Sequence, residues 1–107
     1  GVIIRSSSSD PAQKARSSVK ECYDFVISDL KKAAGLMNES RGVQYASREA
    51  AWAFLSRVYL YMDDKANAIA YADSVINSSK FQLETAEGYK TYFPNAATSP
   101  ETIMVLI

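Results

Sequence analysis

The sequence predicts a mainly α fold, in which about three main helices form antiparallel pairs and a short terminal strand or two completes the chain. Three patterns carry that expectation. A capping box, Ser18-Val19-Lys20-Glu21, precedes an apolar stripe; Trp52, Leu55 and Tyr59 recur at helical spacing; and Ala68, Ala72 and Val75 do so again beyond the turn Asp63-Asp64. With 107 residues, 48% of them hydrophobic, the chain has the material for the core of one ordinary domain.

Residues 1–16 read as an extended and loop lead-in, 17–79 as a helical scaffold, and 80–107 as short extended and loop segments. Within the lead-in, Ser6 to Pro11 is polar and lacks periodicity, hence a loop. The first helix begins at the Ser18 cap, and Val19, Tyr23, Val26, Leu30, Ala33 and Met37 alternate steps of four and three along one apolar face. Gly35 lies near its end, and Asn38 to Gly42 is the connection.

The second helix, Ser47 to Met62, is interrupted between Ala50 and Met62 only by Ser56 and Arg57. A helix apolar nearly all round must be covered nearly all round, so a third partner surface is expected, with little left in this chain to supply it. The third helix starts at Asp63 or Asp64, whose carboxylates suit a cap, and ends near Asn77-Ser78-Ser79. Phe81-Gln82-Leu83 alternates like a short strand, Glu87 to Phe93 suits a brief helix stopped by Pro94, and Asn95 to Pro100 reads as loop. Glu101 to Ile107 is β-prone and is expected to pair with Val2–Ile4. Both ends are apolar, which suggests a piece of a larger domain.

Twelve basic and twelve acidic residues cancel, and the one basic cluster is the dipeptide Lys31-Lys32, so nucleic acid is not an expected partner. No apolar run nears the roughly 18 residues of a membrane helix. The single cysteine, Cys22, rules out an internal disulfide. With no histidine, the commonest general base and zinc ligand are both missing, and the four glycines are too scattered for a phosphate loop. No catalytic residue, metal site or cofactor is expected.

Asp63-Asp64, the closest carboxylate pair, reads as a helix cap rather than as acid-base or metal chemistry. Cys22 has no adjacent cation to lower its pKa and reads as a small buried hydrophobe. Asn38-Glu39-Ser40 and Asn77-Ser78-Ser79 match the glycosylation acceptor pattern, which arises often by chance. Among the aromatics, Trp52 reads as core, whereas Tyr45, Tyr89 and Tyr92 fall outside the strong helix patterns and are the better candidates for exposed rings.

Trp52, Leu55, Tyr59 and Ala68 make a degenerate tetratricopeptide signature, with Ser56 in place of the usual Gly or Ala and Tyr71 one position early. Taken in order, the motifs are more similar to the SusD/RagB family of surface glycan-binding lipoproteins from Bacteroidetes. That likeness rests on the helix Ser17 to Leu30 with its Tyr23 and terminal Asp29-Leu30, on Ala50 to Met62, on Ala68 to Ile76, on Phe81-Gln82-Leu83, and on Glu101-Thr102-Ile103-Met104. It covers roughly residues 17 to 107 and implies tetratricopeptide-like helices that scaffold a glycan site. It further implies a non-catalytic protein at the outer-membrane surface, an oligo- or polysaccharide ligand, and docking to a SusC-like, TonB-dependent transporter. The family's lipid-anchoring cysteine lies near the precursor's start, so Cys22, deep in a helix, does not correspond to it. Many of the family's sugar contacts come from its carboxy-terminal region, so no ligand-binding residue is assigned here. The alternative is an autonomous tetratricopeptide-like adaptor that binds a protein or peptide.

Overall fold

The computed structural model describes residues 1–11, 13–37 and 41–105, and is built on three helices: α1 (Val19–Leu36), α2 (Arg48–Tyr61) and α3 (Lys65–Asn77). The expected capping box is present. The Ser18 hydroxyl accepts the Glu21 N–H at 3.2 Å, and a Glu21 carboxylate oxygen accepts the Ser18 N–H at 2.7 Å. That backbone hydrogen bond holds the Glu21 carboxyl below its ordinary range. For α2 the cap is Ser47, nearly fully buried, whose hydroxyl accepts the Ala50 N–H at 3.2 Å.

Between α2 and α3 the two aspartates divide the work. Asp63 takes a positive φ of 59°, while the Asp63 and Asp64 N–H groups donate to the Leu60 and Tyr59 carbonyls at 3.1 and 2.9 Å. This is the Schellman closure of a helix C-terminus, made here without glycine. Asp64 then opens α3, its carboxylate accepting the Asn67 N–H at 3.1 Å. The cap reading of the pair is therefore correct for Asp64, and Asp63 ends the preceding helix.

The helix α2 is the central element and packs against both α1 and α3. Leu55, Tyr59 and Ala68 form the buried core, with Ile27, Leu30, Trp52 and Tyr71 packed around it. Ser56 matches a close approach of the two helices, donating its hydroxyl to the Ala68 carbonyl at 2.8 Å. The core is thin: the radius of gyration is 16.5 Å, against about 13 Å for a compact chain of this length.

The apolar stripe of α1 is only partly used. Ile27 and Leu30 pack on the core, but Val19 is 59% exposed, because the start of α1 lies against Gly1 and Val2 rather than against another helix. The third surface expected for α2 is supplied in part by this chain after all. Ile103 and Met104 face Ala50, Ala53, Phe54 and Arg57 across a small open pocket, while Phe54 itself and, at the far end, Leu60 and Tyr61 stay exposed.

Past α3 the structure departs further from expectation. A short helix α4 (Ala86–Lys90), capped by Thr85, is followed by a 3₁₀ segment, Phe93–Thr98. Pro94 thus sits in the first turn of a helical segment, where its missing N–H costs nothing, instead of simply stopping one. Among the described residues no strand forms. The segment after α3 does meet the chain at 100–101, Gln82 N–H donating to the Pro100 carbonyl at 3.0 Å, but the Glu84 N–H goes to the Glu101 carboxylate at 2.8 Å, so no ladder develops. The expected pairing with residues 2–4 is replaced as well. Val105 N–H donates to the Val43 carbonyl at 2.8 Å, while the Val2 carbonyl accepts the Ser17 N–H at 2.9 Å. Residues 106 and 107 of that expected run lie outside the described residues.

Candidate functional site

Beyond Ile27 and Leu30, α1 carries Lys31, Ala34 and Gly35 past the core at helical spacing. With Arg48, Trp52 and Leu55 of α2 and Tyr71 of α3 they line an open recess of about 440 Å³. This lies within the range of roughly 300–1,000 Å³ usual for small-molecule sites.

Rings and cations are paired around it. Tyr59 and Tyr71 stack nearly parallel, with centroids 5.7 Å apart and an interplanar angle of 6°. The Lys31 ammonium lies 5.8 Å from the Tyr59 ring centre, and the neighbouring phenols, Tyr59 first and then Tyr71, raise its pKa. Arg48 lies over Trp52, its Cζ 5.9 Å from the ring centre, and donates through Nε to the Met37 carbonyl at 3.1 Å, satisfying a carbonyl at the end of α1. The recess can hold a small polar ligand. It has no hydroxyl, thiol or carboxylate nucleophile among its described lining residues other than the Tyr71 phenol.

A second polar feature ties the helices to the chain's last third. Glu49, 5% exposed, receives Lys80 Nζ at 2.5 Å. Burial acts to raise the Glu49 pKa, but the hydrogen bond from Lys80, a backbone N–H and the charges of Lys80 and Arg48 together outweigh it, and the carboxyl is held below its ordinary range.

The residues singled out from sequence are scattered rather than gathered. Trp52 is half-buried and serves both the core and the recess wall. Tyr45 and Tyr89 are exposed as expected, on the 41–47 connection and on α4 respectively, and neither lines the recess. Tyr92 is corrected: it is half-buried, its hydroxyl 3.0 Å from that of buried Thr102, and its ring meets Phe93 edge-on. Cys22 is half-buried with its Sγ 3.4 Å from the Val2 backbone nitrogen, so its packing partner is the lead-in rather than the core. Asn77 ends α3, and the Asn38-Glu39-Ser40 pattern lies outside the described residues. No cluster of three potential metal ligands occurs among the described residues.

Lys31, Gly35 and Arg48 were not legible as a group. Lys31 and Gly35 are four residues apart on one helix, a hint of a shared face, but only the packing of α1 on α2 brings Arg48 beside them. Among the described residues no helix is long and apolar enough to cross a membrane.

Comparison with known proteins adds three findings. Residues 1–60 match the SusD-like_3 family, described as starch-binding and associating with the outer membrane. A comparison with curated proteins returned no match. Among solved structures, a SusD superfamily protein from Bacteroides thetaiotaomicron superposes with a TM-score of 0.88 at 36% identity, covering 99% of this chain and 24% of that one. A SusD-like protein from Bacteroides fragilis gives 0.79 at 32% identity over 97% of this chain and 22% of its own. A third, a SusD superfamily protein from Bacteroides vulgatus, gives 0.74 at 34% identity over 83% and 21%. The chain thus spans about a quarter of the length of the structures it matches.

Proposed function

Because the chain belongs to the SusD-like family, we propose that it is a non-catalytic helical scaffold within a surface nutrient-binding protein that captures a glycan for a TonB-dependent outer-membrane transporter. The superposition at a TM-score of 0.88 over 99% of the chain carries this reading. In it, α2 and α3 are a tetratricopeptide-like pair whose task is to hold a larger receptor in shape, and the protein sits at the cell surface. The absence of histidine and the cap roles of Asp63 and Asp64 fit a binding rather than a catalytic role. A free-standing adaptor fits less well, since nearly the whole chain overlays one quarter of a longer SusD superfamily protein and its own core is thin.

The test is made on the intact protein. Glycan arrays and calorimetry are expected to show saccharide binding, and affinity capture from solubilised outer membranes to recover a TonB-dependent barrel. Failure of both removes the reading.

A further inference from the structure

Residues 80–105 are tied to one another more closely than to the helices they follow. Gln82 N–H donates to the Pro100 carbonyl at 3.0 Å and Glu84 N–H to the Glu101 carboxylate at 2.8 Å. The Ser99 hydroxyl donates to the Glu84 carboxylate at 2.6 Å, and the Tyr92 and Thr102 hydroxyls lie 3.0 Å apart. These bonds join the start of the segment to its end, with α4 and the 3₁₀ segment carried between them.

Against the helices the packing is looser. Among the described residues, α4 packs on none of α1, α2 and α3. An open space of about 510 Å³ lies between Val75 and Ile76 of α3 and Phe81, Leu83 and Ile103 of the segment. A smaller one, about 210 Å³, lies between Met104 and the Phe54 face of α2. Side chains that face each other across such gaps forfeit much of their contact energy.

The polar ties between the segment and the rest of the chain lie at its two ends. Val105 N–H donates to the Val43 carbonyl at 2.8 Å, and Lys80 Nζ meets the Glu49 carboxylate at 2.5 Å. Glu49 belongs to the buried start of α2, with Ser47, Ala50 and Ala51. Lys80 follows Ser79, whose φ of 56° turns the chain off the end of α3. A buried carboxylate depends on its partner, and breaking the pair calls for water in the partner's place.

We propose that residues 80–105 form a strap that lifts from α2 and α3 as one unit while the three helices stay folded, with the Glu49–Lys80 pair as its latch. The bonds within the strap make it one cooperative piece, and its loose seat on the helices gives it an opening of its own, below global unfolding. Loss of the latch leaves Glu49 buried and unpaired, and lifting the strap is the smallest rearrangement that brings water to it.

The experiment is hydrogen exchange on the intact protein, resolved by mass spectrometry of peptides. The bonded amides of Gln82, Glu84 and Val105 are expected to exchange at one common opening rate, faster than those in the middle of α2. Lys80→Met is expected to speed all three together by roughly thirtyfold, the scale of losing a partly buried ion pair, and Lys80→Arg to restore them. Leu55→Ala weakens the helical core and is expected to speed exchange in α2 while leaving the three strap amides unchanged; Leu55→Val serves where the alanine variant does not fold. Strap amides that follow α2 in the Leu55 variant, or that open at unrelated rates, overturn the separate unit. Strap exchange untouched by Lys80→Met overturns the latch.

Discussion

Lys80→Met isolates Glu49, the buried charge among the described residues. It deletes the ammonium while keeping a long apolar side chain, and leaves the Glu49 carboxylate, 6% exposed, without its 2.5 Å partner. Removing one partner of a fully buried pair costs about 3–5 kcal/mol, whereas exposed pairs are worth about 0–1 kcal/mol. Since Lys80 itself is 51% exposed, the expected cost lies between these limits, about 2 kcal/mol at pH 7. The pH dependence carries more information than the size. In the native protein the Glu49 pKa is lowered, so its contribution is present above the unfolded carboxyl pKa of about 4.3 and is lost as pH falls through the folded value. Without Lys80 the largest remaining influence is burial, which raises the pKa, so the variant is relieved by protonation where the native protein is weakened. The stability gap is therefore expected to be widest near pH 7 and to close below about pH 4. Urea unfolding followed through the fluorescence of Trp52, the single tryptophan, measures it at each pH. A gap that stays constant from pH 7 to pH 4 would refute the reasoning, because the loss would then not come from an unpaired Glu49 charge.

Leu55→Ala empties the only fully buried large side chain of the described core and is expected to cost about 3 kcal/mol in urea unfolding, toward the low end for such cavities because the thin core can relax. Ser79 follows α3 at a positive φ of 56°, so Ser79→Gly is expected to stabilise by up to about 1 kcal/mol, seen as a raised melting temperature; an unchanged or lowered value contradicts that backbone assignment. Ser18→Ala removes half of the α1 capping box and is expected to cost about 1 kcal/mol, with faster amide exchange confined to the first turn of α1.

Much of the local structure was legible because it depends on neighbours in sequence. The Ser18 and Glu21 box, the Asp64 cap and the bounds of α1, α2 and α3 to within a residue or two all follow from periodicity and capping, which act over four residues or fewer. The end of the chain was harder for the same reason. Its β-prone residues at 101–105 lacked a partner strand, since Pro100 has no N–H to give and the Glu101 side chain took the bond a backbone carbonyl would have made. Pro94 was read as a stop, but a proline is equally at home at a start, and sequence alone does not separate the two.

By itself, then, the sequence determined a helical chain with α2 as its apolar centre, caps at the starts of α1 and α3, no histidine-based chemistry, and a motif order shared with SusD-like proteins. Tertiary structure alone decided which side chains meet. It set Ile27 and Leu30 rather than Val19 on the core, turned Ile103 and Met104 onto α2, buried Glu49 against Lys80, and brought Lys31 and Gly35 of α1 beside Arg48, Trp52 and Tyr71. The physical reason is the range of the forces involved: capping and helical periodicity are settled within one or two turns, while burial, ion pairing and the recess depend on residues 31 (Glu49 to Lys80) to 54 (Ala50 to Met104) apart in sequence, which only tertiary packing brings together.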